Sequence, residues 1–96
     1  MKFKLEDSLN ICGTFNVGNL NFSFDDLVDT FGYPNCGPSG DDKTQVEWHI
    51  EFEDGTVATI YDYKSGYSVE DITFWSVGGR SRTAYERVQE VLRRHG

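Results

Sequence analysis

Apolar and polar side chains alternate most clearly in residues 46–63, and this pattern predicts two β-strands. The strands are separated by Asp54-Gly55, a strong hairpin signal, so we expect them to pair antiparallel. A two-residue turn there would place Phe52 opposite Val57 and Trp48 opposite Tyr61. Strict alternation then predicts one apolar face that packs on the core and one face of mostly acidic side chains.

The second face of the predicted hairpin is expected to meet water or a partner. Its members are Glu47, His49, Glu51, Glu53, Ala58, Ile60 and Asp62. The assumed pairing makes Glu47 and Asp62 direct neighbours, and like charges in that position repel each other. A divalent metal held by Glu47, His49 and Asp62, a basic protein partner, or a solvated face balanced by Lys64 or by arginines of the C-terminal helix would each relieve the repulsion. A solvated face is the commonest of the three. Of the two functional alternatives, the basic partner is favoured over the metal, because spacing alone does not supply ligand geometry.

Two helices are predicted, over residues 23–31 and 82–94. Ser23 and Asp26 have the spacing of a capping box, and Gly32 suits the position just past the helix end. The second helix has apolar residues at helical spacing: Ala84, Tyr85, Val88, Val91 and Leu92.

The remaining segments complete an α+β fold. A third strand is predicted over residues 71–77 and is expected to end at Gly78-Gly79, and one or two short strands lie within residues 1–22, with turns at Gly13 or Gly18-Asn19. We therefore predict a single α+β domain over residues 1–96, with an antiparallel sheet of three to five strands and two helices. The C-terminal helix is expected to cover the apolar hairpin face that carries Trp48, Ile50, Phe52, Val57 and Tyr61.

Charge limits the classes of partner. The net charge is −7, which argues against non-specific nucleic-acid binding. Residues 1–79 hold fourteen acids against four lysines, whereas residues 80–96 hold all five arginines and two acids. The pattern is that of an acidic body with a basic C-terminal segment.

The chain has no apolar run near the roughly 20 residues of a membrane span, and no signal-peptide pattern, so a cytoplasmic location is expected. Cys12 and Cys36 are expected to be reduced thiols there, although the sequence leaves a disulfide open. Neither lies near a histidine in a nucleophile motif, and no cofactor is expected.

The segment from Gly78 to Arg82, Gly-Gly-Arg-Ser-Arg, is a candidate anion site. Two glycines would let backbone amides approach a phosphate, the following helix N-terminus favours an anion, and Arg80 and Arg82 could clamp it. The segment matches no phosphate-binding fingerprint, so a tight turn with Ser81 as the helix cap is the commoner interpretation.

Adjacent aromatic residues add one further candidate. Phe74 and Trp75 point to opposite faces of the predicted strand, so one of them is expected to be exposed. An exposed Trp75 would be a hot spot for partner binding. Tyr67 is the tyrosine expected to be free.

Three stretches together resemble small uncharacterised accessory proteins of bacteriophages and other large DNA viruses. They are Phe-Gly-Tyr-Pro at residues 31–34, the hairpin at 47–64 with Asp42-Lys43 before it, and Trp-Ser-Val-Gly-Gly at 75–79. The resemblance covers the chain from Phe31 to the C-terminal helix and assigns no catalytic residues. It implies a viral accessory protein in the host cytoplasm, of a kind that blocks a host defence protein or sequesters a nucleotide signal.

The expected function is therefore a small acidic, non-enzymatic interaction protein. The proposed contact residues are Glu47, His49, Glu51, Glu53, Asp62 and Trp75, with Asp41 and Asp42 nearby, and the partner is a host protein with a basic surface. The alternative is a nucleotide or phosphate-ligand binder that uses Gly78, Gly79, Arg80, Ser81 and Arg82. A metal-dependent enzyme at Glu47, His49 and Asp62 is a third hypothesis. A homo-oligomer is also plausible, because free sheet edges tend to find partners.

Overall fold

The computed structural model describes residues 2–6, 11, 13–35, 46–62 and 68–95 of the chain. Within these residues the elements follow one another as β1 (Phe3–Leu5), β2 (Phe15–Leu20), α1 (Phe24–Phe31), β3 (Glu47–Phe52), β4 (Val57–Tyr61), a 3-10 turn (Val69–Asp71), β5 (Trp75–Gly79) and α2 (Arg82–His95). The strands form one antiparallel sheet in the order β1-β3-β4-β5-β2. The predicted α+β class, an antiparallel sheet of three to five strands with two helices, is confirmed, and the sheet of the described residues has five strands.

Helix α1 begins where its capping box predicts. The Ser23 hydroxyl accepts the Asp26 N–H at 3.1 Å, and the Asp26 carboxylate accepts the Ser23 N–H at 3.3 Å. At the other end, Gly32 adopts a φ of 91° and donates its N–H to the Val28 carbonyl at 2.8 Å. The helix ends at Phe31 because the backbone of Gly32 leaves the helical conformation. A residue with a side chain would be strained at this φ, whereas glycine is not.

The hairpin forms, but its predicted register is wrong by one residue. The observed pairs include Glu47 with Tyr61, Trp48 with Ile60 and Ile50 with Ala58. The turn has three residues rather than two: the Phe52 N–H bonds the Thr56 carbonyl at 2.8 Å, and Gly55 sits at a φ of 88°. A three-residue turn with a glycine at positive φ in its last position is a common hairpin geometry, which Asp-Gly serves as well as a two-residue turn.

The slip changes which residues of β4 share a face with β3, because side chains alternate with a period of two. Ala58 and Ile60 are fully buried beside Trp48 and Ile50, whereas Val57 and Tyr61 lie on the other face and are half-buried. Helix α2 packs mainly over β5 and β2, and it also contacts α1 and β4. The expectation that it covers Val57 and Tyr61 is therefore wrong.

Strand β5 begins and ends later than predicted, and Gly78 and Gly79 belong to it instead of ending it. Gly79 lies against α2, where an added Cβ would collide with the Ala84 side chain. Gly18, predicted as a turn, lies within β2 for a related reason: a Cβ there would come within 2.5 Å of the Tyr85 ring. These glycines mark close helix–sheet packing, for which the sequence pattern has no separate signal.

Two tryptophans connect α1 to the sheet. Trp48 on β3 and Trp75 on β5 are fully buried, with ring centroids 5.3 Å apart in an edge-on arrangement. Their indole N–H groups donate to the carbonyls of Gly32 at 2.8 Å and Phe22 at 3.0 Å, which flank α1. The ring of Phe24 contacts both indoles. Each buried indole thus has the partner that its polar atom needs.

Candidate functional site

Three of the predicted contact residues share one face of β3. Glu47, His49 and Glu51 alternate along the strand on the side opposite Trp48 and Ile50. Glu53 follows in the turn and is exposed. Asp62 does not join them: it is only 1% exposed, and its carboxylate accepts the Val46 N–H at 3.1 Å. The cross-strand neighbour of Glu47 is Tyr61, so the predicted Glu47–Asp62 repulsion does not exist.

Glu47 and His49 form a pair on this face. The His49 Nε2 lies 3.1 Å from the Glu47 Oε1, and the two side chains are 11% and 18% exposed. The His49 Nδ1 is buried and has no hydrogen-bond partner. Both side chains of the pair are therefore mostly buried. A partner can reach Glu51 and Glu53 more readily than Glu47 and His49.

The metal hypothesis is wrong for its proposed ligands. Asp62 is engaged with the Val46 backbone, away from the Glu47–His49 pair. Within the residues that the structure describes, no group of three or more His, Cys, Asp or Glu side chains is placed to hold a metal ion.

A groove of about 430 Å³ lies at the end of the sheet where β1 starts and the hairpin turns. Its lining residues are Lys2, Phe3, Lys4, Glu51, Phe52, Glu53 and Gly55. The Lys4 Nζ lies 3.4 Å from the Glu51 Oε1, with the lysine side chain 64% and the glutamate side chain 35% exposed. An exposed pair of this kind is worth little and can exchange partners. The groove therefore joins an apolar floor to acidic groups that a cationic ligand can reach.

The turn beside this groove is fixed to helix α2. The Asp54 carboxylate accepts the Thr56 N–H at 3.0 Å and lies 3.0 Å from the Arg87 Nε. These donors, the Thr56 backbone N–H first, lower the pKa of Asp54 to about 2. The turn that carries Glu53 is thereby held in one conformation by both its own backbone and the neighbouring helix.

Trp75 is fully buried and is therefore not part of the candidate binding surface. Its neighbour Phe74 is 56% exposed, so the expectation that one of the two is exposed is confirmed for Phe74. The alternation rule identified the pair but could not say which residue faces the helices, because alternation within one strand does not show which face is covered. Exposed Phe15, at 58%, lies on β2 and was not identified.

The Gly78-to-Arg82 segment divides into two parts. Gly78 pairs with Thr59 and Asn16, and Gly79 with Ala58 and Phe15, so both belong to an inner strand and not to a phosphate-binding loop. Arg82 is turned toward β2: its Nη1 lies 3.4 Å from the Val17 carbonyl oxygen, and its guanidinium covers the Tyr85 ring at 5.0 Å.

The other two residues of the segment, Arg80 and Ser81, lie directly before α2. They line a cavity of about 250 Å³ together with Thr83, Ala84 and the hairpin residues Gly55, Thr56 and Val57. The first turn of α2 contains no acidic side chain.

Several predicted positions lie outside the described residues: Cys12, Cys36, Asp41, Asp42, Lys64 and Tyr67. No helix in the described part of the chain is long and apolar enough to cross a membrane. Comparison of the chain with protein families, with curated proteins and with solved structures finds no match.

Proposed function

We propose that this chain is a small non-enzymatic interaction protein that binds a basic surface of another protein through the groove at the hairpin end. Glu51 and Glu53 supply the negative charge, and the half-buried Phe3 supplies the apolar contact. The observation that carries the proposal is the groove itself, in which both acids and Phe3 line one space of about 430 Å³.

Charge and rigidity both support this assignment. Residues 1–79 carry an excess of ten negative charges, which would attract a basic partner to the body of the molecule. The turn is held by Thr56 and Arg87, so little conformational freedom is lost on binding. The resemblance to viral accessory proteins extends the proposal: the partner is a host defence protein, which the chain inhibits by occupying its basic surface.

The proposal is tested by measuring the affinity of a captured partner for a variant in which both acidic residues are replaced by lysine. The double variant Glu51→Lys with Glu53→Lys is expected to weaken binding at least tenfold and to flatten its dependence on salt, because charge attraction across the interface is lost. Affinity is measured by titration calorimetry over a series of salt concentrations.

The matched control carries the same change in net charge elsewhere. Asp29 on α1 and Glu86 on α2 are exposed and lie outside the groove. Asp29→Lys with Glu86→Lys should reduce affinity much less. Equal losses in the two double variants would mean that overall charge acts, and would remove the groove from the proposal.

The second candidate function is capture of a phosphate-containing ligand, now limited to Arg80 and Ser81. The cavity at the start of α2 favours it, because a helix N-terminus without acidic side chains attracts anions. A thermal-shift panel of nucleotides and signalling oligonucleotides tests it. A ligand that raises the melting temperature of the parent chain but not of Arg80→Ala would support this function.

A further inference from the structure

The two edges of the sheet differ in how their backbone groups are satisfied. On the β2 edge, the carbonyls of Val17 and Asn19 accept hydrogen bonds from the Arg82 Nη1 at 3.4 Å and the Tyr85 hydroxyl at 2.9 Å. Gly18 between them leaves the space that the Tyr85 ring occupies. Side chains of α2 therefore cap this edge and keep another strand from pairing there.

The exposed part of β3 is capped in a similar way. Beyond the end of β1, the His49 N–H donates to the Asn35 Oδ1 at 2.9 Å, and the His49 carbonyl accepts from the Asn35 Nδ2 at 3.4 Å. The Asn35 side chain thus replaces a neighbouring strand, since its amide offers the same donor and acceptor as a peptide group.

Strand β1 is the exception. The Lys2 carbonyl accepts the Glu53 N–H at 2.9 Å, and the Glu6 N–H donates to the His49 carbonyl at 3.1 Å, so even-numbered residues face β3. The N–H and C=O groups of Phe3 and Leu5 therefore point outward. No described residue bonds these outward groups. The Phe3 and Leu5 side chains are half-buried and keep apolar surface available.

We propose that this edge pairs with β1 of a second copy of the chain, antiparallel about a two-fold axis at Lys4. In that register Phe3 of each copy lies opposite Leu5 of the other, and the two residues exchange both backbone hydrogen bonds. The sheet then continues through both copies, and no new backbone conformation is required.

The sequence of β1 and its flanks selects a second copy rather than an unrelated strand. Residues 2–6 read Lys-Phe-Lys-Leu-Glu, which is complementary to itself when reversed. Lys2 then faces Glu6 of the second copy at both ends of the pairing, and Phe3 meets Leu5 on the core side. The two Lys4 side chains approach at the axis, where the Glu51 carboxylate at 3.4 Å and the Glu6 carboxylate at 4.0 Å offset their charge.

The strand is short, so the dimer is weak, with a dissociation constant in the range of roughly one to one hundred micromolar. This inference does not rest on the proposed function, because it requires no other protein. It does share Lys2, Phe3 and Lys4 with the groove, so the two interactions compete.

Amide hydrogen exchange over a dilution series tests the inference without any substitution. The outward amides of Phe3 and Leu5 should exchange at least tenfold more slowly in concentrated than in dilute protein, whereas the Lys4 amide, already bonded to β3 in the monomer, should change less. Sedimentation of the same samples should show a monomer–dimer equilibrium. Concentration-independent exchange at Phe3 and Leu5, or a monomer at every concentration, would overturn it.

Charge exchange within the pairing provides a second test. Lys2→Glu alone or Glu6→Lys alone should weaken the dimer by roughly tenfold, because the symmetry places like charges together at both ends. The double variant Lys2→Glu with Glu6→Lys should restore dimer affinity, since opposite charges face each other again. Failure of the double variant to recover would also overturn the register, provided that its melting temperature as a monomer matches that of the parent chain.

Discussion

Trp48 is the side chain whose removal should affect stability most. It is fully buried, contacts Trp75 and Phe24, and donates its indole N–H to Gly32. Trp48→Ala is expected to lower the free energy of unfolding by about 3–5 kcal/mol, because it leaves a cavity and an unpaired carbonyl. Urea unfolding measures the change.

Phe74→Ala is the control for this prediction. Phe74 is also aromatic but 56% exposed, so its truncation should change the free energy of unfolding by no more than about 1 kcal/mol. Similar losses in the two variants would contradict the assignment of Trp48 to the core.

A second residue-scale prediction concerns Asp54 and acid. Its pKa is lowered from 3.8 to about 2, chiefly by the Thr56 backbone N–H and then by the Thr56 side chain and Arg87. A lowered carboxyl pKa gives stability that is complete above the unfolded-state pKa and is lost as pH falls through the folded-state value. The melting temperature of the parent chain minus that of Asp54→Asn should therefore be constant above about pH 4 and shrink toward pH 2.

Arg87→Gln separates the two sources of this shift. Because the Thr56 hydrogen bonds come first among the causes, most of the decrease below pH 4 should persist in Arg87→Gln. A difference between parent and Asp54→Asn that does not vary with pH would show that the carboxyl is not perturbed in solution.

At the scale of elements, the contact between β5 and α2 can show whether Gly79 is required for helix–sheet packing or for ligand binding. A Cβ at position 79 would collide with the Ala84 side chain, so Gly79→Ala should destabilise the fold by about 1–3 kcal/mol. Adding Ala84→Gly should recover part of the loss, although glycine in a helix costs about 1 kcal/mol. A double-mutant cycle from urea unfolding gives the coupling. No coupling, with full stability in Gly79→Ala, would return Gly79 to the candidate ligand site.

The same elements show what the sequence could and could not predict. Capping residues located α1 closely, because Ser23, Asp26 and Gly32 act on their own neighbours. The hairpin register was not predictable from Asp54-Gly55 alone, because two-residue and three-residue turns both accept that pair. The wrong register placed Asp62 on the candidate face, although its side chain is buried. The prediction that Glu51 and Glu53 are accessible did not depend on the register, because their placement depends on β3 and the turn alone.

Long-range packing was the other source of error. Gly18, Gly78 and Gly79 are typical of turns in a local pattern, yet each lies in a strand. At Gly18 the ring of Tyr85, distant in the sequence, occupies the space that a side chain would need, and at Gly79 the Ala84 side chain of the following helix does so. Such a requirement depends on the docked position of α2, which no local pattern contains.

At the scale of the whole molecule, the net charge of −7 should make stability rise with salt. The chain measures 34 × 30 × 20 Å. Raising NaCl from about 0.01 M to about 0.15 M shortens the Debye length from about 30 Å to about 8 Å, so repulsion across the molecule is removed. Close pairs such as Arg87–Asp54 at 3.0 Å and Arg94–Glu90 at 3.2 Å are screened less. The melting temperature should therefore increase over this range.

A variant with fewer negative charges distinguishes net repulsion from other salt effects. Asp29→Asn, Glu70→Gln and Glu86→Gln together neutralise three exposed acids that take part in no ion pair among the described residues. This variant should begin with a higher melting temperature at low salt and gain less from added NaCl, because less repulsion remains to be screened. Both chains are compared in dilute solution, where self-association through β1 does not contribute. An equal gain in both would mean that salt acts through apolar burial, and a fall in both would mean that the close ion pairs outweigh the long-range repulsion.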